Sequence, residues 1–451
     1  MGAMPEDAKN TKTTFPKDFL WGASTSAHQV EGGNHNQWTV WELANAAELA
    51  KTAKKNLGWV PVWGEIANQA QSPNNYVSGK GVEHYKRYEE DFDLVKKLNL
   101  NAFRFGVEWS RIEPQEGNWN EEAINHYKKY IAALKKRDIQ PVINLWHWTM
   151  PVWFDEKGGF AKRKNIDYFV RFVQRIAEDI VLPSGWVITV NEPNSYVGMS
   201  YLDGQWPPQK HDPLLATSVM LNLATAHKRV YRLLKETDPS LSIGVATQCN
   251  NNQPKRPDSI IDRLVASSAN YFWNWWFLNR VKKYQDFVGF NYYFTDYFKG
   301  FMRRNPKEYP RHQHHTHSGH RGLSRKTRHN PLGPTSDLGW YMEPSGIYKV
   351  LMEAAKRYKQ PILITETGVA DMHDKYRKWW IEETLAAASK ANKNGANIIG
   401  YFHWSLLDNF EWSDGWWSKF GLVSVDREHG MKRTIRPSAK WFAQKIKTLS
   451  E

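Results

Sequence analysis

Apolar residues recur along this chain in two alternating rhythms. Short runs rich in Val, Ile, Phe and Trp are each followed by a longer stretch in which apolar positions return every three or four residues. The runs predict strands over Phe19–Ser24, Ala102–Val107, Pro141–His147, Trp186–Glu192, Ser242–Gln248, Phe287–Tyr293, Pro361–Glu366 and Ile398–Ser405. Between them, Tyr85, Tyr88, Phe92, Val95 and Leu98 trace one face of a helix over Glu83–Leu98. Ile124–Leu134, Ile166–Ile180, Ser218–Leu234, Gly346–Tyr358 and Trp379–Ala391 have the same period. Strands alternating with helices imply parallel pairing through right-handed crossovers. An open doubly wound sheet would carry a G-x-G-x-x-G turn after its first strand, and the chain has none there. The expected fold class is α/β, a single (β/α)8 TIM barrel with extended βα loops.

A barrel predicts that chemistry sits at the C-terminal ends of its strands. Those ends give Gln29 just past strand one, Arg104 on strand two and His147-Trp148 on strand three. Strand four ends in Asn191-Glu192-Pro193, strand six in Asn291-Tyr292-Tyr293, strand seven in Glu366 and strand eight in Trp404. Two segments interrupt the alternation. Residues 44–81 read as a rim loop rich in Asn, Trp and Lys. Residues 294–339 hold a His- and Arg-rich insert over 311–329, whose spacing matches no zinc pattern and which reads as a basic loop rather than a metal site. No linker divides the chain. Residues 1–14 read as a disordered or tag-derived start, and 15–451 as one catalytic domain.

Composition changes this picture little, except in aromatics. Trp, Tyr and Phe make up 14% of residues, a surplus that suits sugar-stacking platforms as well as a core. The formal charge of +14 is scattered over helical segments, where solvated faces account for it better than nucleic acid would. No apolar run is long enough to span a bilayer, and the start lacks an apolar signal segment. The single cysteine, Cys249, excludes an internal disulfide. A cytoplasmic protein without membrane or nucleic-acid partners is expected; self-association into a homo-oligomer is left open.

Two glutamates delivered by apolar strands to one rim suit cleavage of a glycosidic bond. One carboxyl must protonate the departing oxygen while the other attacks the anomeric carbon or activates water. Their pKa values must therefore differ. Partial desolvation near an aromatic-rich strand end would keep Glu192 protonated, and Arg104 with the Tyr293 hydroxyl would hold Glu366 ionised. The Asn191 amide is placed to bind a sugar hydroxyl.

Thr189-Val190-Asn191-Glu192-Pro193 and Ile364-Thr365-Glu366-Thr367-Gly368 resemble the two signature motifs of the family 1 glycoside hydrolases, the β-glucosidase and β-galactosidase family. The resemblance continues in Phe19–Thr25 with Gln29-Val30-Glu31-Gly32, in Phe103-Arg104-Phe105, in His147-Trp148, in Asn291-Tyr292-Tyr293 and in Trp404–Trp412. It implies a retaining exo-β-glycosidase that releases a terminal glucosyl residue, with galactosyl or fucosyl side activity, and needs no metal or organic cofactor. Glu366 would be the nucleophile and Glu192 the acid/base, with Arg104 and Tyr293 positioning Glu366. Asn191 would bind the 2-hydroxyl. Gln29, His147, Glu411 and Trp412 would hold other hydroxyls, Trp404 would form the floor, and Trp148, Asn291 and Phe420 would complete the small-carbohydrate site.

Branches of the family that act on 6-phosphosugars resemble one another in serine, lysine and tyrosine where this chain has Glu411, Ser418 and Phe420, so an unphosphorylated glycoside is expected. Asn194 stands where many bacterial and plant members have a stacking tryptophan. Together with Val107–Ile112 it makes the chain look nearer the archaeal branch. Thr367 stands where Asn is common. A transglycosylase of the same family and a catalytically silent sugar-binding barrel are the alternatives; the presence of both glutamates argues against the second.

Overall fold

A computed structural model of the chain describes residues 13–300 and 333–449. Eight parallel strands close on themselves. They are β1 (Leu20–Ser24), β2 (Ala102–Gly106), β3 (Gln140–Asn144), β4 (Trp186–Asn191), β5 (Ser242–Gln248), β6 (Phe287–Tyr292), β7 (Ile362–Thr367) and β8 (Ile398–Trp404). Each pairs with its neighbour in sequence, and β1 pairs with β8 to seal the barrel. All eight predicted strands are present, β3 ending three residues early.

Two-residue alternation divides each strand between two cores. On β2, Phe103 and Phe105 join the large layer between sheet and helices, while Ala102 belongs to a small cluster with Val142, Ile188, Ala246, Leu363 and Phe402. These residues plug the barrel beneath the site, so the interior is packed rather than a pore. Above the plug the same inward positions become polar, beginning with Arg104.

β4 and β7 break the alternation at the point where it matters. Between β4 and β5 the register runs from Ile188↔Gly244 to Asn191↔Ala246, three residues against two. β7 behaves alike against both neighbours, Ile364↔Phe290 being followed by Glu366↔Asn291, and Tyr401↔Ile364 by His403↔Thr367. A β-bulge therefore precedes each glutamate and re-aims the side chains that follow it. Gly368 ends the second bulged segment, where a Cβ would collide with the carbonyl oxygen of Trp404.

The segment 44–81 corrects the expected rim loop. It is helical over Gln37–Leu57 and Trp63–Ala70, with a 3-10 turn at Pro73–Tyr76. Asn36 and Thr39 form a reciprocal cap at the first helix, and Ala46, Ala50, Ala53 and Leu57 form its buried stripe. Small side chains made that stripe hard to distinguish from loop composition. The helix predicted over Ile166–Ile180 ends at Ile176 and continues as a π-turn over Ala177–Val181. The His- and Arg-rich stretch 311–329 lies outside the described residues, as do residues 1–12. Thr14, placed in the disordered start, is instead tied to the Ser389 hydroxyl through its backbone. Among the described residues no helix is long and apolar enough to cross a membrane.

Candidate active site

Glu192 follows the bulge of β4 and caps a short helix, Pro193–Val197, whose first position is the proline. Its backbone is left-handed, with φ 41°. Trp148 (φ 74°) and Trp412 (φ 50°), both on the same rim, share that conformation. For bulky side chains it costs about 1 kcal/mol or more, and such residues concentrate at functional sites.

Glu366 lies across the barrel mouth, and a hydrogen-bonded chain joins the two carboxyls. The Arg104 guanidinium donates to Glu366 through one nitrogen and to Asn191 Oδ1 through the other, at 2.7 Å. Asn291 Nδ2 donates to Asn191 Oδ1 at 3.2 Å and to Glu192 Oε1 at 2.6 Å. Thr365, the residue inserted by the β7 bulge, orients Asn291 by donating to its Oδ1. Tyr293 Oη donates to the other oxygen of Glu366 at 2.6 Å. Arg104, Asn191 and Asn291 are wholly buried. Asn291, expected among the sugar-binding groups, has its amide engaged by Glu192, Asn191 and Thr365. Asn191 likewise pairs with Arg104, Asn291 and His147.

The two carboxyls sit in unequal fields. Burial, then the negative charge of Glu366, pushes Glu192 up to about 8, against neutral donors on Asn291 and Ser195. Burial also raises Glu366, but the charge of Arg104 and the Tyr293 hydroxyl oppose that rise. At neutral pH Glu192 holds the proton. Burial drives Tyr293 well above its ordinary value, which keeps its hydroxyl a donor. His147, between the amides of Asn144 (3.0 Å) and Asn191 (3.1 Å), is held neutral by burial and by Arg104.

Both glutamates open into one pocket of about 740 Å³, mouth included. On one side stand Gln29, His147, Trp148, Trp404, Glu411 and Trp412, with Phe420 beside Tyr293. Gln29 donates to Glu411 and to the Phe410 carbonyl oxygen, and Asn409 donates to Glu411. Trp148 packs on Trp412 at 4.8 Å and donates its indole N–H to the Asn191 carbonyl oxygen. Thr367 accepts the indole N–H of Trp380 behind β7.

Other lining residues were not singled out from the sequence: Ser195, Met199, Gln248, Phe294, Ser413, Asp414 and the tryptophans at 206, 273 and 340. Gln248 ends β5, the one barrel strand from which no candidate site residue was read. The tryptophans lie on loops or irregular turns, where no periodicity points to them.

A closed parallel barrel bearing two linked carboxyls of different proton affinity, ringed by tryptophans, defines a class: carboxyl-dependent glycosidases. Residues 11–283 and 278–450 match the model of glycosyl hydrolase family 1. Beta-glucosidase A of Acetivibrio thermocellus is 28% identical over 97% of this chain and 99% of its own length. The beta-galactosidase of Pyrococcus woesei is 27% identical over 91% and 93%. The solved beta-glycosidase of Pyrococcus horikoshii superimposes with a TM-score of 0.78 at 32% identity, covering 96% of this chain and 95% of its own. The chain belongs to glycosyl hydrolase family 1, and it is an O-glycosyl hydrolase.

Proposed function

We propose that this enzyme releases the non-reducing terminal β-D-glucosyl residue, and galactosyl or fucosyl residues as well, by double displacement. A Glu366 oxygen attacks the anomeric carbon as the bond to the leaving oxygen breaks, and Glu192 supplies that oxygen with its proton. In the second step Glu192 takes a proton from water, whose oxygen displaces Glu366 from carbon. This chemistry requires the carboxyls to stand about 5–5.5 Å apart, too close for an inverting water. Gln29, His147, Glu411 and Trp412 hold the sugar hydroxyls over Trp404. Asn191, held from behind by Arg104 and Asn291, meets the 2-hydroxyl.

The observation that carries the reading is the asymmetry of the linked pair: a cation and a phenol on Glu366, neutral donors alone on Glu192. An ionised carboxyl at Glu411 would repel a 6-phosphate, but this one is not held ionised. Burial pushes it up to about 8, against hydrogen bonds from Asn409 and Gln29, so it is largely protonated at neutral pH. Charge repulsion is then a weak filter, and the exclusion rests on the lack of any Lys or Arg among the described lining residues. A phosphate dianion would have no counter-charge there.

The test is a pH profile of kcat/KM on a β-glucoside. The acid limb falls as Glu366 takes up a proton, above the ordinary glutamate value because burial raises it. The alkaline limb falls near pH 8, where Glu192 loses the proton that the leaving oxygen needs. As the two groups are coupled, the limbs belong to the pair. Activity holding flat beyond about pH 10 would contradict a glutamate acid.

A further inference from the structure

Trp412 lines the pocket next to Glu411, and its left-handed backbone persists only where the surroundings over-determine it. The helical turn Ala27–Val30, just past β1, meets this pair with two residues of its own. Gln29 donates to Glu411 at 3.3 Å. The His28 ring lies nearly parallel to the Trp412 indole, 12° between planes and 5.5 Å between centres. That is the offset stacking that aromatic rings favour. Trp38, Trp148 and Trp206 meet the same indole at tilts of 50°, 48° and 38°, and His147 meets it at 23°.

The His28 ring is locked. Its Nε2 faces a Glu42 oxygen at 2.7 Å, and its Nδ1 faces the Asn36 amide nitrogen at 3.1 Å. Asn36 is fixed in turn, because its Oδ1 accepts the Thr39 N–H in the cap of the helix Gln37–Leu57. The amide nitrogen therefore points at His28, with a longer contact to Glu108 Oε1 at 3.3 Å. Nδ1 is then the acceptor, and Nε2–H donates to Glu42. The other Glu42 oxygen accepts from the Ser78 N–H at 2.9 Å and from its hydroxyl at 2.8 Å. His28, Asn36 and Glu42 are all buried. A flipped ring would set carbon against both partners and lose two buried hydrogen bonds.

We propose that His28 is a positioning residue for Trp412, passing the rigidity of the cap at Asn36 to the indole by ring stacking. The proposal rests on the glycosidase reading above, in which Trp412 holds a hydroxyl of the terminal sugar. The contacts run in order from helix cap to amide, imidazole, indole and sugar. Without the imidazole the indole is free to tilt, and a displacement of about 1 Å at a hydroxyl contact weakens binding by about tenfold or more.

The inhibition constant of 1-deoxynojirimycin, a glucose-shaped iminosugar with no leaving group, tests this and does not depend on the fraction of enzyme that folds. His28→Ala is expected to weaken it about tenfold. His28→Phe keeps a flat ring and loses both hydrogen bonds, and it should recover most of that loss. His28→Gln keeps a polar group for Glu42 without a ring, and it should not. Trp412→Ala should also weaken the inhibitor about tenfold or more, and adding His28→Ala to it should cost less than about twofold further, because the first change removes what the second acts through. Losses that multiply in the double variant, rescue by Gln rather than Phe, or unchanged affinity in either single Ala variant would overturn the proposal. Failure of the wild type to cleave any aryl β-glucoside would instead overturn the glycosidase reading beneath it.

Discussion

Replacing Glu366 by Gln is expected to lower turnover of an aryl β-glucoside by about 10⁴-fold or more, since loss of a nucleophile removes the step on which the others depend. The substitution keeps shape and volume. The amide oxygen can still accept from Tyr293 or Arg104, so the fold should survive, which far-UV circular dichroism would check. An amide is a poor nucleophile, and it no longer counters the Arg104 charge. A variant retaining more than about 1% of wild-type kcat would remove Glu366 from the nucleophile's role.

Glu192→Ala should separate substrates by their leaving groups. Glycosides whose leaving oxygen needs a proton should slow by about 10²–10⁴-fold, the range of general acid catalysis. Those with strongly acidic phenols should lose much less in the first step. Their second step then becomes slow, because no base remains to activate water. Azide needs no base and fits the space that the carboxyl vacates, so it should accelerate turnover and yield a β-glycosyl azide. Uniform slowing of all substrates with no effect of azide would leave Glu192 a merely structural residue.

The barrel was legible in the sequence because short apolar runs alternate with stretches of 3.6-residue period, an alternation broken only over 44–81 and 294–339. The strand-end rule then brought together Gln29, Arg104, His147, Asn191, Glu192, Tyr293, Glu366 and Trp404 from far-apart positions. The direction in which Glu192 and Glu366 point was not legible. Period-two reasoning assigns faces by counting, and the bulges before Asn191 and around Thr365 add a residue to the count. The helix Gln37–Leu57 was hidden for another reason: alanines bury little area each and give a weak periodic signal. Trp206, Trp273 and Trp340 reach the pocket from irregular backbone, where tertiary contacts alone decide orientation.

Asn291 illustrates what a motif conveys and what it leaves out. The tripeptide Asn291-Tyr292-Tyr293 marks a strand end at the site. The contacts that distinguish its members are long-range: Asn291 to Glu192 and Thr365, Tyr292 to the Glu343 carbonyl oxygen, Tyr293 to Glu366. Three consecutive residues at the end of β6 and just past it thus reach the acid, the Glu343 backbone and the nucleophile in turn.

The central claim is that a carboxylate on β7 becomes bonded to the sugar while its partner on β4 manages the protons. Incubation with an activated 2-deoxy-2-fluoro-β-D-glucoside, followed by peptide mass spectrometry, addresses it most directly. The account predicts time-dependent inactivation with one fluoroglucosyl group on Glu366, and slow reactivation by a sugar acceptor. Label on any other residue, or inactivation without a covalent adduct, would contradict it.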